Sequence, residues 1–418
     1  MTGRESIRDG MESEVITPWR RYDLPLTERT LADLMAEAGN ERRGAVGKWH
    51  LGHTKRDYLP LKRGFTYFTG CYNGVIDYFT HIREGEREWH RNSEPSRDEG
   101  YVTDPIGRES AMFTEESPNG KPFFLYTAFA APHLPLQAKK EDIDKYVWIA
   151  DEKERIYAAM VDSMDQAVRR ILNVLDDRGI TENTFVLFLS DNGAIHLGNN
   201  GPWRSVKGSL YEGGIRVPAA VCWPAGIQCG RIIQDMMGYI DVYPIVKRIV
   251  GATGPDSNPL DGLDMLDVIR QLAKAPKRYW FSTIAQRTPE RLALCDGTLK
   301  LVVLGGSALD VDLDRFGFIR GREVGTKSTS PGEDQPVVEL CNLVIDPGEK
   351  TDLSAEHPEI VQCLLDRMKE YRRLKIKGVP GYMEDRREFK TPKHLIIEGI
   401  AVTRNSAGIH PQTPSGRG

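Results

Sequence analysis

Apolar residues along the chain form short runs and one long stripe. Residues 123–129 and 185–189 are apolar runs of strand length that end at turn-forming residues. Between them, apolar residues recur every three or four positions over 151–178, which predicts one amphipathic helix. A long helix between two apolar strands is typical of a βαβ unit. The pattern therefore predicts an α/β fold with a mainly parallel sheet sandwiched by helices.

The pattern changes near residue 279. Beyond it, short apolar runs separated by turns such as Asp296-Gly297 predict antiparallel strands, and a helix is predicted over 358–372. From residue 375 the chain is rich in Lys, Arg, Pro and Gly, which predicts a disordered tail. We therefore expect an α/β domain over 1–278, a small α+β domain over 279–374 and a tail over 375–418.

Composition and charge narrow the class of protein. Lys and Arg total 56 and Asp and Glu total 60, so the formal net charge of the 418 residues is −4. That balance argues against a nucleic-acid partner, although a local basic pocket stays possible. No apolar run approaches the ~20 residues of a membrane span. The first residues lack the apolar stretch of a signal peptide. The sequence predicts neither the compartment nor the oligomeric state of the protein.

Chemically useful side chains follow the predicted strands. Because ligands bind beyond the carboxyl ends of parallel strands, these side chains are expected to converge on one pocket. Carboxylate and amide oxygens suit Mg²⁺ or Ca²⁺, lysines neutralise an anion, and histidines move protons near neutral pH. The candidates are Lys48, His50, His133, Asp191, Asn192 and Lys207.

Each candidate also has a structural interpretation when taken singly. A histidine after a strand is more often structural, and Ser-Asp-Asn-Gly is by itself a typical turn. Lys207 alone would be a solvated surface charge. His50 and His53 lie three residues apart, but no third ligand at zinc-site spacing accompanies them.

Taken in order, the motifs resemble the type I, formylglycine-dependent sulfatases, and in particular the arylsulfatase B-like branch. The resemblance rests on GKWHLG at 47–52, APH at 131–133, SDNG at 190–193, and Lys207 followed by EGGIRVP at 212–218. Residues 63–81 and 337–361 resemble further family segments. The resemblance implies an alkaline-phosphatase-like α/β sandwich with a small C-terminal α+β domain, and hydrolysis of sulfate esters of aryl or sugar alcohols.

The resemblance also assigns roles to the candidate residues. It places Lys48 and Lys207 on the sulfate oxygens and makes His133 the proton donor to the leaving oxygen. His50 would assist a formylglycine hydrate in eliminating sulfate. Asp191 and Asn192 would bind Ca²⁺ or Mg²⁺. The expected partner is a sulfated small molecule or carbohydrate.

One family motif is incomplete in this sequence. The nucleophile motif of the family is Cys or Ser, any residue, Pro, Ser or Ala, Arg, and later Thr-Gly-Arg, of which only Thr2-Gly3-Arg4 is present. No cysteine lies in a Cys-x-Pro-x-Arg context. We therefore expect a sulfatase truncated at its N-terminus, lacking the formylglycine residue, two metal aspartates and the first strand, and inactive as given. Alternatives are a non-catalytic sulfate-binding relic and a phosphoester or phosphonate hydrolase of the same superfamily.

Overall fold

The computed structural model describes residues 1–12, 15–284, 290–305, 337–379 and 389–397. Its helices are α1 Leu31–Glu37, α2 Thr103–Glu115, α3 Lys140–Ile143, α4 Glu152–Asp177, α5 Glu212–Ile215, α6 Val242–Ile249, α7 Leu266–Ile269 and α8 Pro358–Arg372. Its strands are β1 Arg42–Lys48, β2 Tyr67–Cys71, β3 Ile82–Arg83, β4 Glu86–Arg87, β5 His90–Arg91, β6 Glu94–Pro95, β7 Phe123–Ala128, β8 Val186–Leu189, β9 Ala219–Cys222, β10 Trp280–Ile284, β11 Arg291–Cys295, β12 Leu299–Leu304 and β13 Val337–Asn342.

The main sheet is mixed, with a parallel centre. Within the described residues its strand order is β6-β5-β2-β1-β7, and β1 pairs in parallel with both β2 and β7. At the carboxyl end of β1, Gly47 pairs with Gly70 and with Ala128. A Cβ atom at Gly70 would lie 1.9 Å from the Gly47 carbonyl oxygen, so glycine allows this close approach of the two strands.

Both faces of the main sheet are covered. On one face, Val46 packs with Ile106 of α2 and Met160 of α4. On the other, Ala45 packs with an aromatic cluster that includes Phe65 and Phe68. Successive residues of β1 thus point to opposite hydrophobic layers, as the period of a strand requires. The long α4 forms where the apolar stripe over 151–178 predicts a helix, and Asp151 caps its N-terminus.

β8 and β9 form a separate antiparallel pair among the described residues, rather than extending the parallel sheet from β7. This corrects the parallel β7–α4–β8 arrangement that the apolar runs predict. Leu187 and Phe188 of β8 are 37% and 38% exposed, although their run predicts a buried strand. Helix α6 packs against both strand groups, through contacts that involve Phe124 on one side and Phe185 and Val221 on the other.

The described C-terminal strands form an antiparallel sheet in the order β10-β11-β12-β13. One face, including Leu292 and Leu301, packs on α8, which begins at Pro358. The opposite face, including Ala293 and Val302, packs on Leu210 of the loop before α5. This sheet is therefore a middle layer between α8 and a loop of the preceding region.

Part of the predicted tail is described, and it packs on the rest of the protein. Leu395 is fully buried, and Ile396 lies against the aromatic cluster beside the main sheet. Residues 380–388 and 398–418 of the predicted tail lie outside the described residues. In the described part of the chain, no helix combines the length and apolar character needed to cross a bilayer.

Candidate active site

The first part of the site lies at the end of β1. Lys48 is the last residue of the strand, and the Trp49 and His50 amides donate to the carbonyls of Cys71, the last residue of β2, and of Tyr72, which follows it. His50 has a φ of +55°. Its Nε2 lies 3.1 Å from the Ile16 carbonyl oxygen, which assigns the ring proton to Nε2 and leaves Nδ1 as an acceptor.

His133 lies in the turn that follows β7. Its amide donates to the Ala130 carbonyl, and its Nδ1 lies 2.9 Å from the Leu134 carbonyl oxygen. That contact assigns the proton to Nδ1, so Nε2 is the acceptor. The Tyr78 hydroxyl donates to the His133 carbonyl at 2.9 Å, and this hydrogen bond stabilises the turn.

Asp191 and Asn192 follow β8 in a tight loop that is joined to residues 204–211 before α5, here called the Lys207 loop. The Gly193 amide donates to the Gly214 carbonyl at 2.9 Å, and the Lys207 amide donates to the Ala194 carbonyl at 3.0 Å. A Cβ atom at Gly193 would lie 1.9 Å from the Gly213 carbonyl oxygen, so only glycine fits between the loops. The Asn192 carbonyl accepts a hydrogen bond from the Ser190 hydroxyl.

Electrostatic interactions link five of the six candidates. Burial, and then the nearby Lys48 ammonium, hold the pKa of His50 well below its usual value. Burial also lowers the pKa of His133, with Lys207 and Lys48 acting in the same direction. Burial lowers the pKa of Lys207, while Asp191 opposes that shift. Two neutral imidazoles, two ammonium groups and one carboxylate therefore share one site.

The family model named Sulfatase matches residues 1–252. The chain belongs to the sulfatase family. Mouse arylsulfatase J is 31% identical over a region that covers 66% of this chain and 48% of that protein. Dog N-acetylgalactosamine-6-sulfatase is 28% identical, with coverage of 91% of this chain and 76% of that protein. The chain thus spans about half the length of arylsulfatase J and three quarters of the dog enzyme.

Among solved structures, Ps i-CgsB in complex with k-i-k-neocarrahexaose superposes with a TM-score of 0.80 and 25% identity. The match covers 93% of this chain and 83% of that chain. These relatives confirm the predicted sulfatase family and the alkaline-phosphatase-like fold. The predicted N-terminal truncation stays a prediction.

Sulfatases typically use a metal ion and formylglycine. In the described part of this sulfatase, no group of three or more His, Cys, Asp or Glu side chains is placed to hold a metal ion. Ca²⁺ takes about six to eight oxygen ligands, and the side chains of Asp191 and Asn192 alone do not supply that number. The described residues by themselves therefore do not fit a resident Ca²⁺ ion.

The cysteine at the end of β2 has no accessible thiol. Cys71 pairs in register with Lys48 at the end of β2, which places it near the site. Its thiol is buried, and burial raises its pKa, so it stays protonated and inert.

Several residues of the site in this sulfatase carry no local sequence signal. The Tyr239 hydroxyl donates to the Ser190 carbonyl at 2.6 Å, from a segment about 50 residues away. Burial, and then the Asp191 carboxylate, raise the pKa of Tyr126 on β7 to about 12. His53 is fully buried, and its ring contacts the Pro18 carbonyl while its amide donates to Asp23, which gives it a structural role.

Proposed function

We propose that this chain binds sulfate esters of sugar or aryl alcohols for hydrolysis at the site around Lys48 and Lys207. The observation that carries the proposal is the convergence of Lys48 at the end of β1, His133 in the turn after β7, and Lys207, whose amide donates to the Ala194 carbonyl beyond β8. Burial lowers the pKa of His133, and Lys207 and Lys48 both lower it further, in agreement with that convergence. Two ammonium groups in a partly desolvated pocket stabilise the charge of a sulfate group more strongly than they would in water. Among the described residues, the Asp191 carboxylate offsets part of their charge.

The two neutral histidines are different tautomers, so their acceptor nitrogens differ. In the free protein, Nε2 of His133 is an acceptor and the ring is neutral. A bound sulfate ester brings negative charge, which favours protonation of Nε2, and the imidazolium then donates that proton to the leaving oxygen. His50 has its acceptor at Nδ1, because Nε2 is held by the Ile16 carbonyl, and it is proposed to accept a proton during release of sulfate.

The names of the relatives support a sulfated carbohydrate as the substrate class. One curated relative is an N-acetylgalactosamine-6-sulfatase, and one solved neighbour is in complex with a neocarrahexaose. We therefore propose a sulfated sugar, with a sulfated small aryl compound as a usable assay substrate.

A second candidate is a non-catalytic sulfate-binding protein. It is favoured by the two-residue oxygen set at Asp191 and Asn192, and by the buried, protonated thiol of Cys71. Such a protein would keep the oxyanion-binding lysines without turnover.

Titration calorimetry with inorganic sulfate and a turnover assay with 4-nitrophenyl sulfate separate the candidates. Because a hydrogen bond to a charged group contributes about 1.5–3 kcal/mol, Lys48→Ala and Lys207→Ala should each weaken sulfate binding about 10- to 100-fold. Turnover that disappears in His133→Ala supports the hydrolase, whereas binding without turnover supports the binding protein. An absence of sulfate binding to the unsubstituted chain would refute both.

A further inference from the structure

The loop that carries Lys207 rests on the C-terminal sheet. Arg291 of β11 donates from Nη1 to the Gly208 carbonyl at 3.0 Å, one residue beyond Lys207. Leu210 packs with Ala293 and Val302 on the same face of that sheet. The position of Lys207 therefore depends on a part of the chain about 80–100 residues further on.

A buried ionic cluster joins α5 to this sheet. Nζ of Lys300 on β12 lies 2.8 Å from Oε1 of Glu212 and 2.9 Å from Oε1 of Glu349. The three side chains are 1%, 7% and 0% exposed. The other oxygen of Glu349 accepts the Glu212 amide at 2.6 Å. One lysine thus connects the start of α5 with the segment beyond β13.

A second cluster holds the other end of the same loop. Nη1 of Arg204 donates to Glu339 on β13 at 2.7 Å and to the Glu349 carbonyl at 2.9 Å. The Tyr211 hydroxyl donates to the same Glu339 carboxylate at 2.6 Å. The Gly213 amide also donates to the Arg204 carbonyl at 2.8 Å, which closes the loop around Lys207.

Buried ion pairs at these positions fix where the side chains lie, and they add little to the net stability of the fold. A buried ion pair is often no more stabilising than well-packed apolar residues of the same volume, whereas its hydrogen bonds accept only a narrow range of positions. Here the paired groups lie on both sides of Lys207 and on the inner face of a sheet that is otherwise apolar. A lysine bound to an oxyanion needs that kind of fixed placement.

We propose that Lys300, together with Glu212 and Glu349, is a positioning residue for Lys207. The cluster fixes the α5 end of the loop, so that the Lys207 ammonium is held beside Lys48 before a sulfate group binds. This inference rests on the proposed sulfate-binding function of Lys207.

A double-mutant cycle on the full chain tests the inference, with inorganic sulfate as the probe in titration calorimetry. Lys300→Met is expected to weaken sulfate binding about tenfold, within the effect expected for losing Lys207 itself. If Lys300 acts through Lys207, then Lys300→Met in a Lys207→Ala background should weaken binding no further. Additive effects of the two substitutions would overturn the inference.

Matched variants separate positioning from loss of stability. Glu109→Gln removes the ion pair between the buried Glu109 carboxylate on α2 and the partly exposed Arg91 on β5, whose Nη1 lies 2.8 Å from Glu109. It should lower the thermal midpoint and leave sulfate affinity unchanged. Glu212→Gln keeps the size of the side chain and an acceptor for Lys300. If Lys300→Met does not fold, Glu212→Gln takes its place in the double-mutant cycle with Lys207→Ala.

The outcomes also separate this inference from the proposed function. Unchanged sulfate binding in Lys207→Ala contradicts the proposed function itself. Weaker binding in Lys207→Ala with normal binding in both Lys300→Met and Glu212→Gln contradicts only the positioning role.

Discussion

Glu88 is a buried carboxyl group that folding keeps protonated at neutral pH. It is fully buried, and its Oε1 accepts the Asn73 backbone amide at 2.6 Å and the Asn73 side-chain amide at 2.8 Å. Burial raises the pKa of Glu88 from 4.5 to about 8, although these hydrogen bonds oppose the shift. Glu88→Gln keeps the shape and the acceptor oxygen but cannot ionise.

The size of the effect follows from proton linkage. Between pH 4.5 and about 8 the unfolded chain loses the Glu88 proton while the folded protein keeps it, so wild-type stability falls as pH rises. At about 1.4 kcal/mol per pKa unit, the loss is about 1 kcal/mol at pH 5 and about 4 kcal/mol at pH 8. Glu88→Gln does not undergo this loss of stability, because glutamine does not ionise in either the folded or the unfolded state. Its free energy of unfolding relative to wild type should therefore improve by about 3 kcal/mol between the two pH values.

Urea unfolding followed by tryptophan fluorescence at pH 5 and pH 8 measures this difference. Glu109→Gln is a control whose effect on stability should hardly change between these two pH values. Burial alone would raise the pKa of Glu109, but hydrogen bonds from Arg91 and Tyr67 outweigh burial and lower it. The stability that Glu109 contributes is present above its unfolded pKa of 4.5 and is lost only as pH falls through its lower folded pKa, so Glu109→Gln should be about equally harmful at pH 5 and pH 8. An equal effect of Glu88→Gln at both pH values would show that Glu88 is ionised in the folded protein and refute the reasoning.

Three further substitutions address the loops and the exposed strand. In Gly213→Ala the new Cβ would lie 2.2 Å from the Ser205 carbonyl oxygen, so about 1–3 kcal/mol of stability and most sulfate affinity should be lost. Gly208→Ala, with φ of +85° and open space around it, should lose about 1–2 kcal/mol of stability, and a loss of sulfate affinity as large as in Gly213→Ala would contradict the steric explanation. Phe188→Lys should reduce concentration-dependent association in sedimentation experiments, because the charge blocks an exposed strand. Val147→Lys, which adds the same charge on an exposed site outside the strands, should not. Tyr239→Phe removes the hydrogen bond to the Ser190 carbonyl and should lower the free energy of urea unfolding by about 1 kcal/mol; no change would show that water replaces it.

Much of the fold was predictable because apolar periodicity determines which segments become helices and strands. The helix over 358–372 coincides with α8, and α4 falls within one residue of its predicted range. The pairing of β8 was not predictable in the same way, since an apolar run indicates a strand but does not specify its partner. For that reason the sequence predicts a continuous parallel sheet where the described residues have two separate strand groups.

The candidate residues were predictable as a group because the carboxyl ends of neighbouring strands meet at one edge of a sheet. The residues around Lys207 were missed because their partners lie in another region. A signal was nevertheless present, since Lys300 and Glu339 are single charges inside otherwise apolar strands. A charge at such an inward position requires a buried partner. The Ile16 carbonyl that orients His50 is backbone, so no residue type could have indicated it.

The placement of the C-terminal sheet between α8 and the Lys207 loop also affects how the protein unfolds. The family match ends at residue 252, yet Arg204, Tyr211 and Glu212 find their partners on strands and loops that begin at residue 291. If that sheet separated from the rest, buried charges on both sides would lose their partners at once. We therefore expect the two regions to unfold in one cooperative transition, although their sequence patterns differ.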